Sequence, residues 1–191
     1  MSLEDRRRWD AKYAARDVPA QVEPDAWLAS CAKGLPVGRA LDLASGLGHN
    51  AVWLATRGWS VDAIDISPVG LQIAQQLAQR QAQHVGWIAA DLEQFELPVS
   101  AYDLIAVFRF LDRVRLPAMI EAALKPGGIL VYETFTQRHF ERFPDSIRRR
   151  SFLLEAGELP RLFGSLNTVN YQELDSPQHS VAQLAARKPP I

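Results

Sequence analysis

The chain has 191 residues, of which 48% are apolar and 23% charged, with a formal net charge of -1; this is ordinary globular composition and excludes a disordered or fibrous chain. Near-neutral charge offers no general attraction to nucleic-acid phosphates or anionic membranes, and the single cysteine, Cys31, excludes an internal disulfide and a multi-thiolate metal site. The charged opening MSLEDRRRWDAKYAAR lacks a secretory apolar region and no apolar run is long enough to span a bilayer, so the expectation is a cytoplasmic protein with no metal, no membrane partner and no nucleic-acid partner.

In chain order, residues 3–16 have helical character, with Trp9 and Tyr13 four apart on one face. That pair either packs onto the domain as core or covers a ligand as an aromatic flap. Pro19, Pro24 and Pro36 mark a connecting segment with a short helix over 27–33. Residues 1–36 are thus read as an N-terminal helical segment and 37–191 as the α/β core of one domain.

The stretch ALDLASGLGHNAVWLA, 40–55, reads as a buried strand, a glycine turn and a helix start. Gly46 and Gly48 accept backbone angles that other residues avoid. Asn50 is a residue type that caps helices, and Ala51, Leu54 and Ala55 follow at helical spacing. A helix N-terminus beside glycines is an anion site into which a ligand can press closely, so something polar and nucleotide-like belongs here.

Arg57-Gly58 closes that helix, and residues 59–64 form a second strand ending at Asp65. Pro68 suits a first helical turn, and 69–81 carries Leu71, Ala74, Leu77 and Ala78 on one face with glutamines on the other. Residues 85–89 are a third strand followed by Asp91; 102–108 are an apolar fourth strand of the kind found in the middle of parallel sheets. A helix over 116–124 and the turn Lys125-Pro126-Gly127-Gly128 lead into a fifth strand, 129–133. Residues 137–150, QRHFERFPDSIRRR, look like a polar, basic excursion over the surface, and 155–163 like a short helix disturbed by Pro160. The connector between 166–174 and 180–187 is too short for a parallel crossover, so the last two strands are expected to form an antiparallel hairpin.

Asp42 lies in the first strand, while Asp65 and Asp91 end the second and third. Ligands of open α/β sheets lie beyond the carboxyl ends of the strands, where an acid can accept bonds from two ribose hydroxyls. The glycine turn, Asp65, Ala90-Asp91, Leu124-Lys125-Pro126-Gly127-Gly128 and the final hairpin together resemble class I S-adenosylmethionine-dependent methyltransferases. Asn50 to Ala55 and Tyr132-Glu133-Thr134-Phe135 resemble the tellurite-resistance-type small-molecule members. The resemblance implies a Rossmann-like, doubly wound seven-stranded sheet, mostly parallel with an antiparallel C-terminal hairpin strand, and S-adenosylmethionine as cofactor. It assigns the turn from Ser45 to Gly48 to the methionine end, Asp65 to the ribose and Asp91 to the adenine amino group. It further implies cofactor contacts from Tyr13, Asp42, Ala44, Ser45, Gly46, Gly48, Asn50, Ile66, Leu92 and Phe108. Ala44 stands where the family usually has glycine; a negative φ is expected there, because at positive φ its methyl would crowd the cofactor.

Methyl transfer asks mainly for alignment, because the sulfonium is an activated donor, and no catalytic base is assigned. No Asn-Pro-Pro-Tyr or Asp-Pro-Pro-Tyr motif follows the fourth strand. His84, His139 and His179 are read as surface or turn residues and His49 as an exposed part of the turn. Arg138, Arg142, Arg148, Arg149 and Arg150 are read as a solvated lid, or else as a lure for an anionic acceptor. Arg109 is read as an ion pair with Glu133, or as an acceptor-holding group; Arg109, Glu133 and Trp9 are the expected substrate contacts. The expected function is methyl transfer to a small-molecule acceptor. A nicotinamide-dependent oxidoreductase using Gly46-x-Gly48-x-x-Ala51 and a non-catalytic cofactor-binding relative are the alternatives.

Overall fold

A computed structural model describes residues 3–144 and 150–190. In chain order the elements are α1 (Leu3–Ala14), α2 (Ala26–Ala32), β1 (Arg39–Leu43), α3 (His49–Thr56), β2 (Ser60–Asp65), α4 (Pro68–Arg80) and β3 (Gly86–Ala89). They continue with β4 (Tyr102–Phe108), α5 (Leu116–Ala123), β5 (Leu124–Phe135), α6 (Gln137–Arg142), α7 (Glu158–Leu162), β6 (Asn167–Asp175) and β7 (Ser180–Arg187). The seven strands form one sheet in the order β3-β2-β1-β4-β5-β7-β6. All neighbours from β3 to β5 are parallel, and β7 runs antiparallel between β5 and β6.

Side chains of a strand alternate between faces, and here the alternation feeds two separate cores. Leu41, Ile105, Val107, Leu130 and Tyr132 pack with α5 and α7 on one face. Ala40, Leu104, Ala106, Ile129 and Val131 pack with α2 and α3 on the other. Because both faces are covered, the central strands are apolar throughout rather than alternating, which is why the fourth strand reads as a continuous run. Leu104 is fully buried, so its truncation to alanine is worth about 2 to 5 kcal/mol.

Four local expectations are corrected. β5 begins at Leu124, not at 129, because the Pro-Gly-Gly segment is already part of the strand; Tyr102 pairs Leu124 and Leu104 pairs Ile129 across an irregularity in register. The first of the 137–150 residues form α6, whose His139 is buried; its arginines dock rather than float, Arg142 donating to Ser180 Oγ at 2.9 Å and Ser176 O at 2.8 Å. Arg138 lies 2.8 Å from Asp175 and Arg150 sits over the Phe140 ring, while Arg148 and Arg149 lie outside the described residues. Asn50 does not cap α3, which begins at His49 with Gly48 as its left-handed N-cap. The helix near Pro160 is confined to α7. Among the described residues no helix is long and apolar enough to cross a membrane.

Candidate functional site

A cavity of about 620 Å³ opens at the carboxyl ends of the parallel strands, within the size range of small-molecule sites. The turn after β1 and the end of β2 line one side; the ends of β4 and β5 line the other, and α1 contributes Trp9 and Tyr13. Strand order reverses between β1 and β4, so the cavity straddles the switch point of the sheet.

On the β1–β2 side the polar groups are tied to nearby backbone. Asp65 Oδ2 accepts from Gly46 N–H and Oδ1 from Ser67 N–H, both at 2.8 Å. Burial pushes the carboxyl upward, opposed by the N–H groups of Ser67, Gly46 and Ile66. Ser45 N–H donates to Ile64 O on β2 and Gly48 N–H to Ser45 O within the turn, so both donors are engaged by backbone. Gly46 takes a φ of +55°, and a Cβ there would press on the Tyr13 hydroxyl at 2.9 Å, so a side chain at this position would displace Tyr13. At Gly48 a Cβ would meet Ala74 and Trp87; that glycine is required for packing against α4 and β3 and does not line the cavity.

Asp42 and Ser45 do line it, and both are buried. Among the described residues Asp42 Oδ2 and Ser45 Oγ have no hydrogen-bond partner, an arrangement that is costly until a ligand completes it. Burial pushes the Asp42 carboxyl up to about 7, with His49 and the Ala51 N–H opposing and the Asp25 and Asp65 charges adding to it.

Ala44 corrects an expectation: its φ is +55°, in the left-handed region. The backbone must turn there to deliver α3, and alanine accepts a strain of about 1 to 2 kcal/mol that glycine would avoid. Its methyl is part of a cavity wall and does not close the cavity.

The β4–β5 side is organised by Asp25, a residue the sequence gave no reason to choose beyond its place before a short helix. Its Oδ2 accepts from Asn50 Nδ2 and contacts His49 Nε2, both at 3.0 Å, while its N–H donates to Asn50 Oδ1 at 2.8 Å. Arg109 Nη1 donates to Oδ2 at 3.1 Å and Nη2 to Oδ1. Burial raises the Asp25 carboxyl, but the His49 and Arg109 hydrogen bonds and charges outweigh it and hold the group well below the usual carboxylate range.

The expected Arg109–Glu133 pair is therefore corrected. Glu133 Oε2 accepts from Gln183 Nε2 at 2.6 Å, and only the Glu133 carbonyl meets Arg109, taking its backbone N–H at 2.9 Å. The Glu133 side chain is buried beside β7 and does not line the cavity, whereas Arg109 does. Arg109 has a φ of +56°, so the chain kinks at the end of β4 and sends its side chain toward Asp25.

Of the other expected contacts, Tyr13, Asn50, Ile66, Leu92, Phe108 and Trp9 all line the cavity. Asp91 stands at the end of β3 outside the lining, its Oδ1 accepting from Glu93 N–H at 2.9 Å. Trp9 and Tyr13 stack with ring centroids 5.4 Å apart. Tyr13 and Lys12 face the same space. Missed by sequence reasoning were Phe110, Phe135, Phe152 and His139, which complete the β4–β5 side. His139 is buried rather than a surface residue: its ring lies 4.3 Å from that of Phe135 and 5.0 Å from that of Phe143, and its Nδ1 accepts Ser180 N–H at 3.1 Å. Among the described residues no group of three or more His, Cys, Asp or Glu is placed to hold a metal ion.

Residues 40–128 match the methyltransferase domain family. Hemagglutinin 1 of Eikenella corrodens is 29% identical over 150 residues, 74% of this chain and 48% of that protein. The ubiquinone biosynthesis O-methyltransferase of Alkalilimnicola ehrlichii is 29% identical over 116 residues, 58% of this chain and 47% of that protein. The chain spans about half the length, or less, of the curated relatives it matches. Among solved structures, the 4+2 cyclase SpnF superposes with a TM-score of 0.78 at 18% identity, covering 100% of this chain and 97% of its own. TehB from Haemophilus influenzae gives 0.69 at 19% identity, covering 88% and 63%. Other structures of the same fold are complexes with S-adenosylmethionine or S-adenosylhomocysteine. The domain match over residues 40–128 and the seven-stranded sheet support a class I S-adenosylmethionine-dependent methyltransferase domain in this chain.

Proposed function

We propose that this chain binds S-adenosylmethionine on the β1–β2 side of the cavity and methylates a small-molecule acceptor held on the β4–β5 side, with the chain acting as one domain. The observation that carries this reading is the pair of buried polar atoms without a partner among the described residues, Asp42 Oδ2 and Ser45 Oγ, in the wall of a cavity at the switch point. They suit the ammonium and carboxylate of a methionine moiety, and Asp65, which lines the same cavity, supplies a carboxylate acceptor for ribose hydroxyls. Ile66, Leu92 and Phe108 supply apolar wall for a flat base. When bound, the cofactor supplies a sulfonium methyl group that needs no further activation. The chain's contribution is then to exclude water with α1 and the phenylalanines, and to hold the acceptor in line. Asp91, outside the cavity lining, is kept as an adenine contact that requires its side chain to turn inward.

Calorimetry with S-adenosylhomocysteine, with NAD as the control, tests the cofactor reading. Binding of the former alone is expected, and no binding overturns it. Mass spectrometry of a panel of small hydroxylated, amino and thiol compounds after incubation with S-adenosylmethionine then tests turnover. Binding without any methylated product would favour the non-catalytic relative.

A further inference from the structure

The charges facing the cavity are unevenly distributed. Its acidic liners are Asp42 and Asp65. Both lie on the β1–β2 side, and Asp65 already accepts two backbone N–H groups. The other charged liners are Arg109 from the end of β4, and Arg8 and Lys12 from α1.

Arg109 is held rather than loose. Asp25 takes one N–H from each Nη, leaving three of the five guanidinium donors, and the side chain is 44% exposed. Its left-handed backbone is pinned by the Glu133 carbonyl, and a strained residue kept in place by its surroundings is a common feature of binding sites. Lys12 lies 4.3 Å from the centroid of the Trp9 ring, where burial and the neighbouring Arg16 and Arg8 charges all pull its pKa down. Arg8 is 3.0 Å from Asp5. Lys12 and Arg8 repel each other on α1, and an anion placed beside them relieves that repulsion. Between them the wall left over from the cofactor's base is aromatic: Phe110, Phe135 and Phe152.

We infer that the acceptor is a small anion with a flat apolar body, of the aromatic carboxylate class, its charge held by Arg109 and drawn in past Lys12 and Arg8, its ring packed among Phe110, Phe135 and Phe152. This rests on the methyltransferase reading of the same cavity. Arg109 alone carries the fixed contact; Lys12 and Arg8 act through the field at the mouth. Asp25 is a positioning residue, since it holds the guanidinium without lining the cavity.

The test uses the full chain saturated with S-adenosylhomocysteine and three probes: benzoate, benzamide and acetate, with binding followed by calorimetry. Benzoate is expected to bind about tenfold or more tighter than its neutral isostere benzamide, the usual worth of a charge-assisted hydrogen bond. Acetate, which has the charge without the ring, is expected to bind more weakly than benzoate. Arg109→Gln is expected to bring benzoate down to the benzamide level while S-adenosylhomocysteine still binds. Arg8→Gln with Lys12→Gln, on the exposed face of α1, is expected to reduce the preference partly and to flatten its salt dependence. Should Arg109→Gln not fold, the wild-type comparison and the α1 variant still decide. No benzoate binding, equal binding of benzoate and benzamide, or acetate matching benzoate each overturns the inference. Failure of S-adenosylhomocysteine to bind, measured first, overturns the methyltransferase reading instead.

Discussion

The two sides of the cavity are held together by different means. On the β1–β2 side Asp65 ties the glycine turn to the start of α4 through Gly46 and Ser67, and these bonds close short loops. On the β4–β5 side Arg109 reaches a carboxylate 84 residues away, and the same carboxylate also engages His49 and Asn50. One side is thus a local motif that forms as its βαβ unit forms. The other exists only when the connector before α2, the start of α3 and the end of β4 have all come together. The Asp65 bonds of the β1–β2 side thus lie within one βαβ unit, whereas the β4–β5 side is held through one residue, Asp25.

The largest expected effect perturbs the β1–β2 side by charge. Asp42 has a folded pKa raised to about 7 from 3.8, so its contribution to stability is complete below about pH 4 and is lost as pH rises toward 7. For the ligand-free protein at pH 8 that loss is on the order of 4 kcal/mol. Asp42→Asn should remove this slope and raise the urea midpoint at pH 8 above wild type. An unchanged pH profile would show that Asp42 is ionised without penalty.

Next in size is the acceptor side. Asp25→Ala leaves Arg109 and His49 without their shared partner and should cost about 3 kcal/mol by urea unfolding, at the low end for a broken buried pair because Arg109 reaches solvent. Asp25 behaves oppositely to Asp42 in acid: its depressed pKa contributes stability above about pH 4 that is lost as pH falls. If Asp25→Ala weakens S-adenosylhomocysteine binding as much as it weakens the fold, the two sides are not independent.

A smaller effect is expected from Asp65→Asn, which keeps one acceptor oxygen but loses the charge. S-adenosylhomocysteine affinity should fall by about 2 kcal/mol, roughly thirtyfold. Unaltered affinity in a folded variant removes the ribose assignment. The smallest change is Ala44→Gly, which relieves a positive φ at the expense of chain entropy and should stabilise the protein by about 1 kcal/mol or less in thermal unfolding. A loss of stability would mean that the methyl is packed well enough to outweigh its strain.

The strands, the hairpin and the glycine turn were legible because each is written in neighbouring residues: alternating or continuous apolar runs, paired glycines after a strand, a connector too short for a crossover. What sequence could not convey was long-range pairing. Asn50 has the chemistry of a cap, yet a carboxylate 25 residues earlier competes for it and prevails. Arg109 demanded a counter-charge, and Glu133 was the acid in register on the adjacent strand; Gln183 of β7 had already engaged it. Ala44 misled for a related reason, since the need to redirect the chain into α3 overrode the preference of its side chain. His139 sits in a polar stretch whose only sign of burial is its place between Phe135 and Phe143, in contact with both.

The insertion of β7 between β5 and β6 has a consequence for biosynthesis. β5 is almost wholly buried, and its free edge is covered only by a strand made after α6, α7 and β6 have emerged from the ribosome. At about 5 to 20 residues per second, that leaves a bare apolar strand edge for a few seconds in every nascent chain. A stalled chain lacking β7 should therefore be an aggregating species and a client for chaperones, even though its glycine turn and the first four strands are already complete.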